Sequence, residues 1–126
     1  MKLGALVGGS ATVIGPEANL GDVADVLVRD GVGCLGVVAD RALVGIITER
    51  DLVRALAAGA DPETELVADW MAEAPDVFPP DTDVEEAGRW LLEVGYRHMP
   101  VMEDGELLGI VSIRDLLWAL LGEESA

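Results

Sequence analysis

An internal repeat constrains this chain more than any other feature of its sequence. When the 126 residues are compared with themselves at an offset of 64 positions, Thr12–Ala57 aligns with Asp76–Leu121 without a gap. Fourteen of the 46 aligned positions are identical: Val13/Val77, Pro16/Pro80, Leu27/Leu91, Gly31/Gly95, Val37/Val101, Asp40/Asp104, Leu43/Leu107, Gly45/Gly109, Ile46/Ile110, Arg50/Arg114, Asp51/Asp115, Leu52/Leu116, Ala55/Ala119 and Leu56/Leu120. This density of identity predicts two copies of one supersecondary unit.

Each copy opens with a short strand and an amphipathic helix. An apolar pair, Val13-Ile14 or Val77-Phe78, is followed two residues later by a proline, which cannot donate to a sheet ladder and so ends the strand. The helix that follows has apolar residues at helical spacing. Its predicted ends are the capping pairs Asn19 with Asp22 and Asp83 with Glu86, and the C-terminal glycines Gly31 and Gly95.

Two apolar runs and a second helix complete each copy. The runs are Leu35–Ala39 and Leu43–Ile47 in the first copy, and Met99–Met102 and Leu107–Val111 in the second. Asp40-Arg41 and Asp104-Gly105 stand between the runs, and Asp-Gly is a strong hairpin signal. We expect the second helices to begin near Thr48 and Ser112 and to end at Gly59 and Gly122.

The predicted fold class is therefore α/β, with two β-α-β-β-α repeats related by a pseudo-two-fold axis and packed through their sheets. A single unit of about 50 residues is too small to bury a sufficient core alone, so the two copies should form one compact module. We place the first repeat at residues 1–62 and the second at residues 63–126.

Charge and cysteine content restrict the partners and the compartment. The net charge of −16 argues against binding to nucleic acid or to anionic lipid, since both need Lys and Arg. Cys34 is the single cysteine, so no intramolecular disulfide can form. The N-terminal apolar run faintly resembles a signal peptide, but Gly8-Gly9-Ser10 interrupts it. We expect a cytoplasmic protein.

The doubled motif Gly-x-x-Ser/Thr-x-x-Asp resembles that of cystathionine-β-synthase-type (CBS) domain pairs, also called Bateman modules. It occurs in Gly45–Leu52 and Gly109–Leu116, and Arg97–Val101 and Val67–Met71 extend the similarity over the second copy. The resemblance implies a regulatory module that binds AMP, ADP, ATP or S-adenosylmethionine in a cleft between the repeats, pairs into a homodimer, and acts on a partner protein of unknown identity. The first copy departs from the pattern, with Cys34-Leu35-Gly36 in place of His98-Met99-Pro100.

The candidate ligand-binding residues lie around the two motifs. Thr48 and Ser112 precede helices whose free N–H groups and dipole favour a phosphate. Asp51 and Asp115 have carboxylates that can accept hydrogen bonds from both ribose hydroxyls, which is the role that the resemblance implies for them. Arg50, Arg114, Arg97 and His98 would supply positive charge.

A ligand-free alternative remains open. Ser/Thr-x-x-Asp is nearly a capping box, so both motifs could serve only as helix caps in a dimerisation or protein-interaction module. His98 could equally be structural, and one Cys with one His does not complete a zinc site. The sequence contains no P-loop and no Ser/His/Asp grouping, and we therefore predict no enzymatic activity, no catalytic cofactor and no metal.

Overall fold

The computed structural model describes residues 1–8 and 11–125, so Gly9 and Ser10 of the interrupted N-terminal run lie outside the described residues. Its elements, in chain order, are a 3-10 turn at Leu3–Ala5, β1 (Val13–Ile14), α1 (Leu20–Asp30), β2 (Cys34–Ala39), β3 (Ala42–Thr48), α2 (Glu49–Ala57), α3 (Val67–Trp70), β4 (Ala72–Glu73), α4 (Val84–Val94), β5 (His98–Glu103), β6 (Glu106–Ser112) and α5 (Ile113–Ser125). The α/β class is confirmed.

The chain forms two compact units, and their boundary differs from the one predicted at residues 62 and 63. One unit is Thr12–Pro75, and the other combines Met1–Ala11 with Asp76–Ala126. The N-terminal segment joins the second copy because the Leu3 N–H donates to the Thr82 carbonyl at 2.9 Å and the Leu3 side chain is fully buried in that copy's core. Conversely, α3, which precedes the second copy in sequence, packs in the unit of the first.

The unit Thr12–Pro75 is built on a four-stranded sheet in the order β1-β2-β3-β4. Strand β1 runs parallel to β2, whereas β2-β3 and β3-β4 are antiparallel. Asp40 and Arg41 both have positive φ, as a two-residue hairpin turn requires. Because this tight turn fixes the register of β2 against β3, Cys34 lies opposite Thr48 at the far end of the hairpin.

Helix α1 covers this sheet and begins and ends as the sequence predicts. The Asn19 side chain and the Asp22 carboxylate form a reciprocal capping box, and Gly31 ends the helix in the left-handed conformation. The buried core of the unit comprises Leu20, Val23, Leu27, Leu35, Val37, Ile47, Ala55 and Val67. Burial of these side chains is the main favourable contribution to the stability of the unit.

The second unit repeats the hairpin but has a weaker first strand. Strands β5 and β6 pair around Asp104-Gly105, and a register shift at Val101/Met102 matches the shift at Val37/Val38 of the first copy. The predicted strand Val77-Phe78 is reduced to a single parallel bridge from Phe78 to Val101. The core comprises Leu3, Val84, Ala87, Leu91, Met99, Val101, Val111, Leu116 and Ala119.

Two sequence predictions about helix ends are wrong. Asp83 precedes α4 but makes no side-chain capping bond, and its carboxylate lies 2.8 Å from Lys2 Nζ instead. Gly122 does not end α5, which continues to Ser125. A glycine inside a helix costs only about 1 kcal/mol relative to alanine. Glycine is therefore a strong stop signal only where the chain takes a positive φ after the helix.

Within residues 1–8 and 11–125, no helix has both the length and the apolar character needed to cross a bilayer.

Candidate functional site

The first motif forms a complete capping box at the start of α2. The Thr48 N–H donates to Asp51 Oδ2 at 2.8 Å, and the Asp51 N–H donates to Thr48 Oγ1 at 3.3 Å. The Thr48 hydroxyl also lies 3.2 Å from Asp51 Oδ2, to which it can donate. The junction between β3 and α2 forms a corner that the β2–β3 hairpin positions, because the Glu49 N–H at the start of α2 donates to the Gly33 carbonyl at 3.0 Å.

Asp51 is buried and is paired with a cation from its own helix. The residue is only 8% exposed. Its Oδ1 atom accepts a hydrogen bond from Nη2 of Arg54, three residues further along α2. A carboxylate removed from water requires such a partner, because an unpaired buried charge is costly. Both oxygens of Asp51 are therefore engaged within the protein.

Cys34 lies beside this corner, and its thiol has low reactivity at neutral pH. It stands opposite Thr48 in the strand ladder, and its side chain is buried. Burial, with a smaller contribution from the nearby Asp51 charge, raises the pKa of the Cys34 thiol to about 12. The thiolate is the nucleophilic and metal-binding form of cysteine, so this thiol is a poor nucleophile and a poor metal ligand at neutral pH.

The second motif has the same backbone geometry in a more open setting. The Ser112 N–H donates to Asp115 Oδ2 at 2.9 Å, and the Asp115 N–H donates to Ser112 Oγ at 3.1 Å. Asp115 is exposed, whereas Asp51 is buried. His98, which is half-buried, lies opposite Ser112 in the ladder at the position equivalent to Cys34.

The predicted basic residues lie at these same corners. The Arg97 carbonyl accepts a hydrogen bond from the Ile113 N–H at 2.9 Å, so the loop that carries Arg97 is tied to the start of α5. Arg114 lies in the first turn of α5, and Arg50 lies at the equivalent position of α2; all three arginines are exposed. The structure thus gathers Arg97, His98, Ser112, Arg114 and Asp115 at one end of the second unit.

Thr48, Arg50 and Asp51 occupy the corresponding end of the first unit, where Gly33 and Cys34 replace the basic pair Arg97-His98. This corner therefore offers less positive charge from its hairpin than the corner of the second unit does.

Sequence reasoning missed Arg54 and its counterpart Trp118. At the offset of 64 residues, Arg54 aligns with Trp118, which lies on α5 and is 71% exposed. The signal was present in the spacing, because residues three apart on a helix lie on the same face and Asp51 to Arg54 is such a pair. The aligned position in the second copy carries no charge.

A hollow of about 470 Å³ lies elsewhere on the second unit, along α4. Its walls are Met1, Asp83, Val84, Glu85, Glu86, Arg89, Trp90 and Glu93. Four carboxylates against a single arginine make it acidic, which disfavours a phosphate. None of the predicted ligand-binding residues lines it, and in the described part of the chain no three His, Cys, Asp or Glu side chains lie close enough together to hold a metal ion.

Comparison with known proteins identifies relatives over nearly the whole chain. The family model for the CBS domain matches residues 10–58 and residues 67–122. A crystal structure of a CBS-domain-containing protein from Agrobacterium tumefaciens is 30% identical, with a TM-score of 0.89 over 95% of this chain and 99% of that chain. A CBS domain protein from Pyrobaculum aerophilum, complexed with AMP, is 26% identical, with a TM-score of 0.87 and full coverage of both chains.

Among curated proteins, an uncharacterised 17.7 kDa protein of Acidianus ambivalens is 38% identical over 86% of this chain. The present chain spans 66% of that relative, and 54% and 39% of the length of two further uncharacterised relatives. The similarity therefore extends over the repeated region and leaves part of each of these longer proteins unmatched.

Proposed function

Because this chain belongs to the family of CBS domain proteins, we propose that it is a regulatory module that binds an adenosine-containing ligand and passes the resulting change to a partner protein. The candidate ligands are AMP, ADP, ATP and S-adenosylmethionine. The observation that carries the proposal is the open carboxylate of Asp115 at the start of α5, beside Ser112 and the loop of Arg97. The AMP complex of the Pyrobaculum aerophilum relative supports the choice of ligand class.

The chemistry of this corner suits a nucleotide. The Asp115 carboxylate can accept hydrogen bonds from the two neighbouring hydroxyls of a ribose. The guanidinium groups of Arg97 and Arg114, together with His98, can bind a phosphate, and the dipole of α5 adds to the attraction. Such local positive charge is needed because the net charge of −16 repels an anion from the protein as a whole. In the first copy, Thr48, Arg50 and Asp51 are the equivalent candidates.

Exposed apolar residues support the homodimer that is part of this proposal. Val28 and Leu92 occupy equivalent positions on α1 and α4 and are 83% and 74% exposed. Val53 and Leu117 form a second equivalent pair, on α2 and α5, and are also exposed. Apolar side chains left in water at matching places in both copies are typical of surfaces that a partner covers.

The same exposed residues favour one alternative function. In a ligand-free dimerisation or protein-interaction module, the hydroxyl–carboxylate motifs would act only as helix caps, and both motifs do form the hydrogen bonds of a cap. Neither candidate function includes a catalysed reaction or a catalytic cofactor.

A thermal-shift and calorimetry experiment separates the two functions. Each of the four ligands is added to the purified protein at millimolar concentration, and a free concentration 100 times the Kd should stabilise the fold by about 2.7 kcal/mol. Asp115→Asn should remove the part of this gain that the second copy contributes, while Glu103→Gln, an exposed carboxylate on β5, should leave the gain unchanged. The absence of stabilisation by all four ligands, together with dimer dissociation by Leu92→Lys, would establish the alternative.

A further inference from the structure

We propose that Arg54 closes the ligand site of the first copy from within, so that each chain has a single competent site, at Asp115 of the second copy. Arg54 thereby determines how many ligands the module takes. The inference rests on the proposed function. The second copy provides a comparison for it, because Trp118 aligns with Arg54.

The carboxylate of Asp51 has little capacity left for a ligand. Oδ2 is within hydrogen-bonding distance of both the N–H and the hydroxyl of Thr48, and Oδ1 accepts from Arg54. The Asp51 side chain is only 12% exposed. A ribose hydroxyl that took the place of the guanidinium at Oδ1 would bring no positive charge, and the buried carboxylate would lose its ion-pair partner.

The carboxylate of Asp115 is different. Oδ2 accepts from the Ser112 N–H, as in the first copy. Among the residues that the structure describes, however, no side chain forms an ion pair with Asp115, and the hydrogen bonds of its carboxylate use Oδ2 alone. Trp118 stands where the first copy has Arg54, and an indole carries no charge that could neutralise a carboxylate. Oδ1 of Asp115 is therefore open to a ligand hydroxyl.

The difference between the two copies thus depends on one aligned pair of side chains. Arg54 is 59% exposed and Trp118 is 71% exposed, so neither is required to fill a core. The charge at each position can therefore be removed or added by substitution without opening a cavity. The repeat therefore offers a reciprocal test on one protein.

The experiment measures the number of AMP molecules bound per chain by titration calorimetry and by native mass spectrometry. Wild-type protein should bind one AMP, and Asp115→Asn should bind none. Arg54→Met frees Asp51 and should raise the number to two. Trp118→Arg places a guanidinium three residues after Asp115 and should weaken the remaining site about 10-fold or more.

Trp118→Met is the matched control for the second copy, because it removes the ring without adding charge. It should leave the affinity within about two-fold of wild type. If Trp118→Met weakened binding as much as Trp118→Arg, the ring itself would be the ligand contact and the proposed effect of charge would be wrong.

The remaining outcomes distinguish this inference from the function on which it rests. Two AMP molecules on the wild-type chain, or lost binding in Arg54→Met, would overturn the role of Arg54 while leaving the ligand-binding function intact. The second result would instead make Arg54 a phosphate ligand. If neither the wild type nor Arg54→Met bound AMP, ADP, ATP or S-adenosylmethionine, both the function and the inference would be rejected. Circular dichroism melts confirm that each variant is folded.

Discussion

Thr48 and Asp51 bind each other through backbone and side chain together, with the Thr48 N–H 2.8 Å from Asp51 Oδ2 and the Asp51 N–H 3.3 Å from Thr48 Oγ1. Ser112 and Asp115 form the same pair of bonds in the second copy. The two caps differ in burial and in the cation that accompanies only the first, and these differences determine what substitutions in them should do.

Loss of the capping hydroxyl should destabilise the fold. We expect Thr48→Ala to lower the free energy of unfolding by about 1–2 kcal/mol, since an N-cap replaced by alanine costs about 0.5–2 kcal/mol. Urea denaturation followed by circular dichroism measures the change. Thr48→Ser, which keeps the hydroxyl, is the control and should remain within about 0.5 kcal/mol of wild type. Equal losses in the two variants would show that the methyl group, not the cap, matters.

The two carboxylates should differ in their contribution to stability. Asp51→Ala removes a buried partner of Thr48 and Arg54, and we expect a loss of about 2–3 kcal/mol. Asp115→Ala removes an exposed cap and should cost about 1 kcal/mol. Parallel urea titrations of the two variants give the comparison. A larger loss for Asp115→Ala would contradict the burial difference between the two motifs.

Cys34 should make the stability depend on pH in the alkaline range. Burial raises the thiol pKa to about 12 in the folded state, whereas an unfolded cysteine ionises near 8.5. Below that unfolded value both states are protonated and the thiol contributes no pH dependence. Above it only the unfolded chain loses the proton, so folding stability should fall by about 1.4 kcal/mol per pH unit until the folded thiol also ionises.

Urea titrations at pH 8 and pH 10 test this dependence. Because lysine and tyrosine also titrate there, the measured quantity is the difference between wild type and Cys34→Ala, and this difference should narrow or reverse at the higher pH. The native thiol should also react slowly with an alkylating reagent at pH 7 and quickly in urea. Fast alkylation of the folded protein would contradict the burial.

Substitution of the motif glycine by alanine should lower the free energy of unfolding more at Gly45 than at Gly109. At Gly45 an added Cβ would lie 2.7 Å from the Ala72 carbonyl oxygen and from Met71 Sδ, whereas at Gly109 the near atoms belong to the side chain of Val7. Rotation cannot move Val7 Cβ, which would lie 2.8 Å from the added atom, so the segment that carries Val7 must shift; this segment is outside the helices and strands and can shift more easily than the paired β4 backbone. We expect Gly45→Ala to cost about 2–3 kcal/mol and Gly109→Ala about half of that, measured by thermal unfolding. The reverse order would show that β4 yields more readily than Val7.

The parts of the fold that sequence predicts well are those fixed by local conformation. The tight hairpin turns require the positive φ values of Asp40 and Asp104, and the helix ends require those of Gly31 and Gly95. Asp and Gly are residue types that favour these conformations, so the sequence predicts them. The doubled capping motif is likewise local, because all of its hydrogen bonds join residues three apart.

Features that depend on distant residues could not be predicted in the same way. Asp83 looks like a helix cap in sequence, but Lys2, which is 81 positions away, pairs with its carboxylate. The burial of Asp51 and the exposure of Asp115 are equally invisible in two almost identical motifs, since burial depends on what packs over each corner. The spacing of Asp51 and Arg54 indicates that they can pair, but the importance of the pair follows from the burial of Asp51, which the spacing does not show.

The N-terminal segment Met1–Ala11 packs with the second copy, and α3 packs with the first. This exchange determines where the chain can be divided. Cleavage at residue 62 would separate Leu3 from the Val84 and Leu91 side chains that surround it, and Val67 from Val23 and Ile47. Each product would expose apolar surface that the intact protein covers. Excision of Thr12–Pro75, with Ala11 rejoined to Asp76, would instead keep each hydrophobic cluster whole, so domain grafting should use these two positions together rather than the midpoint of the duplication.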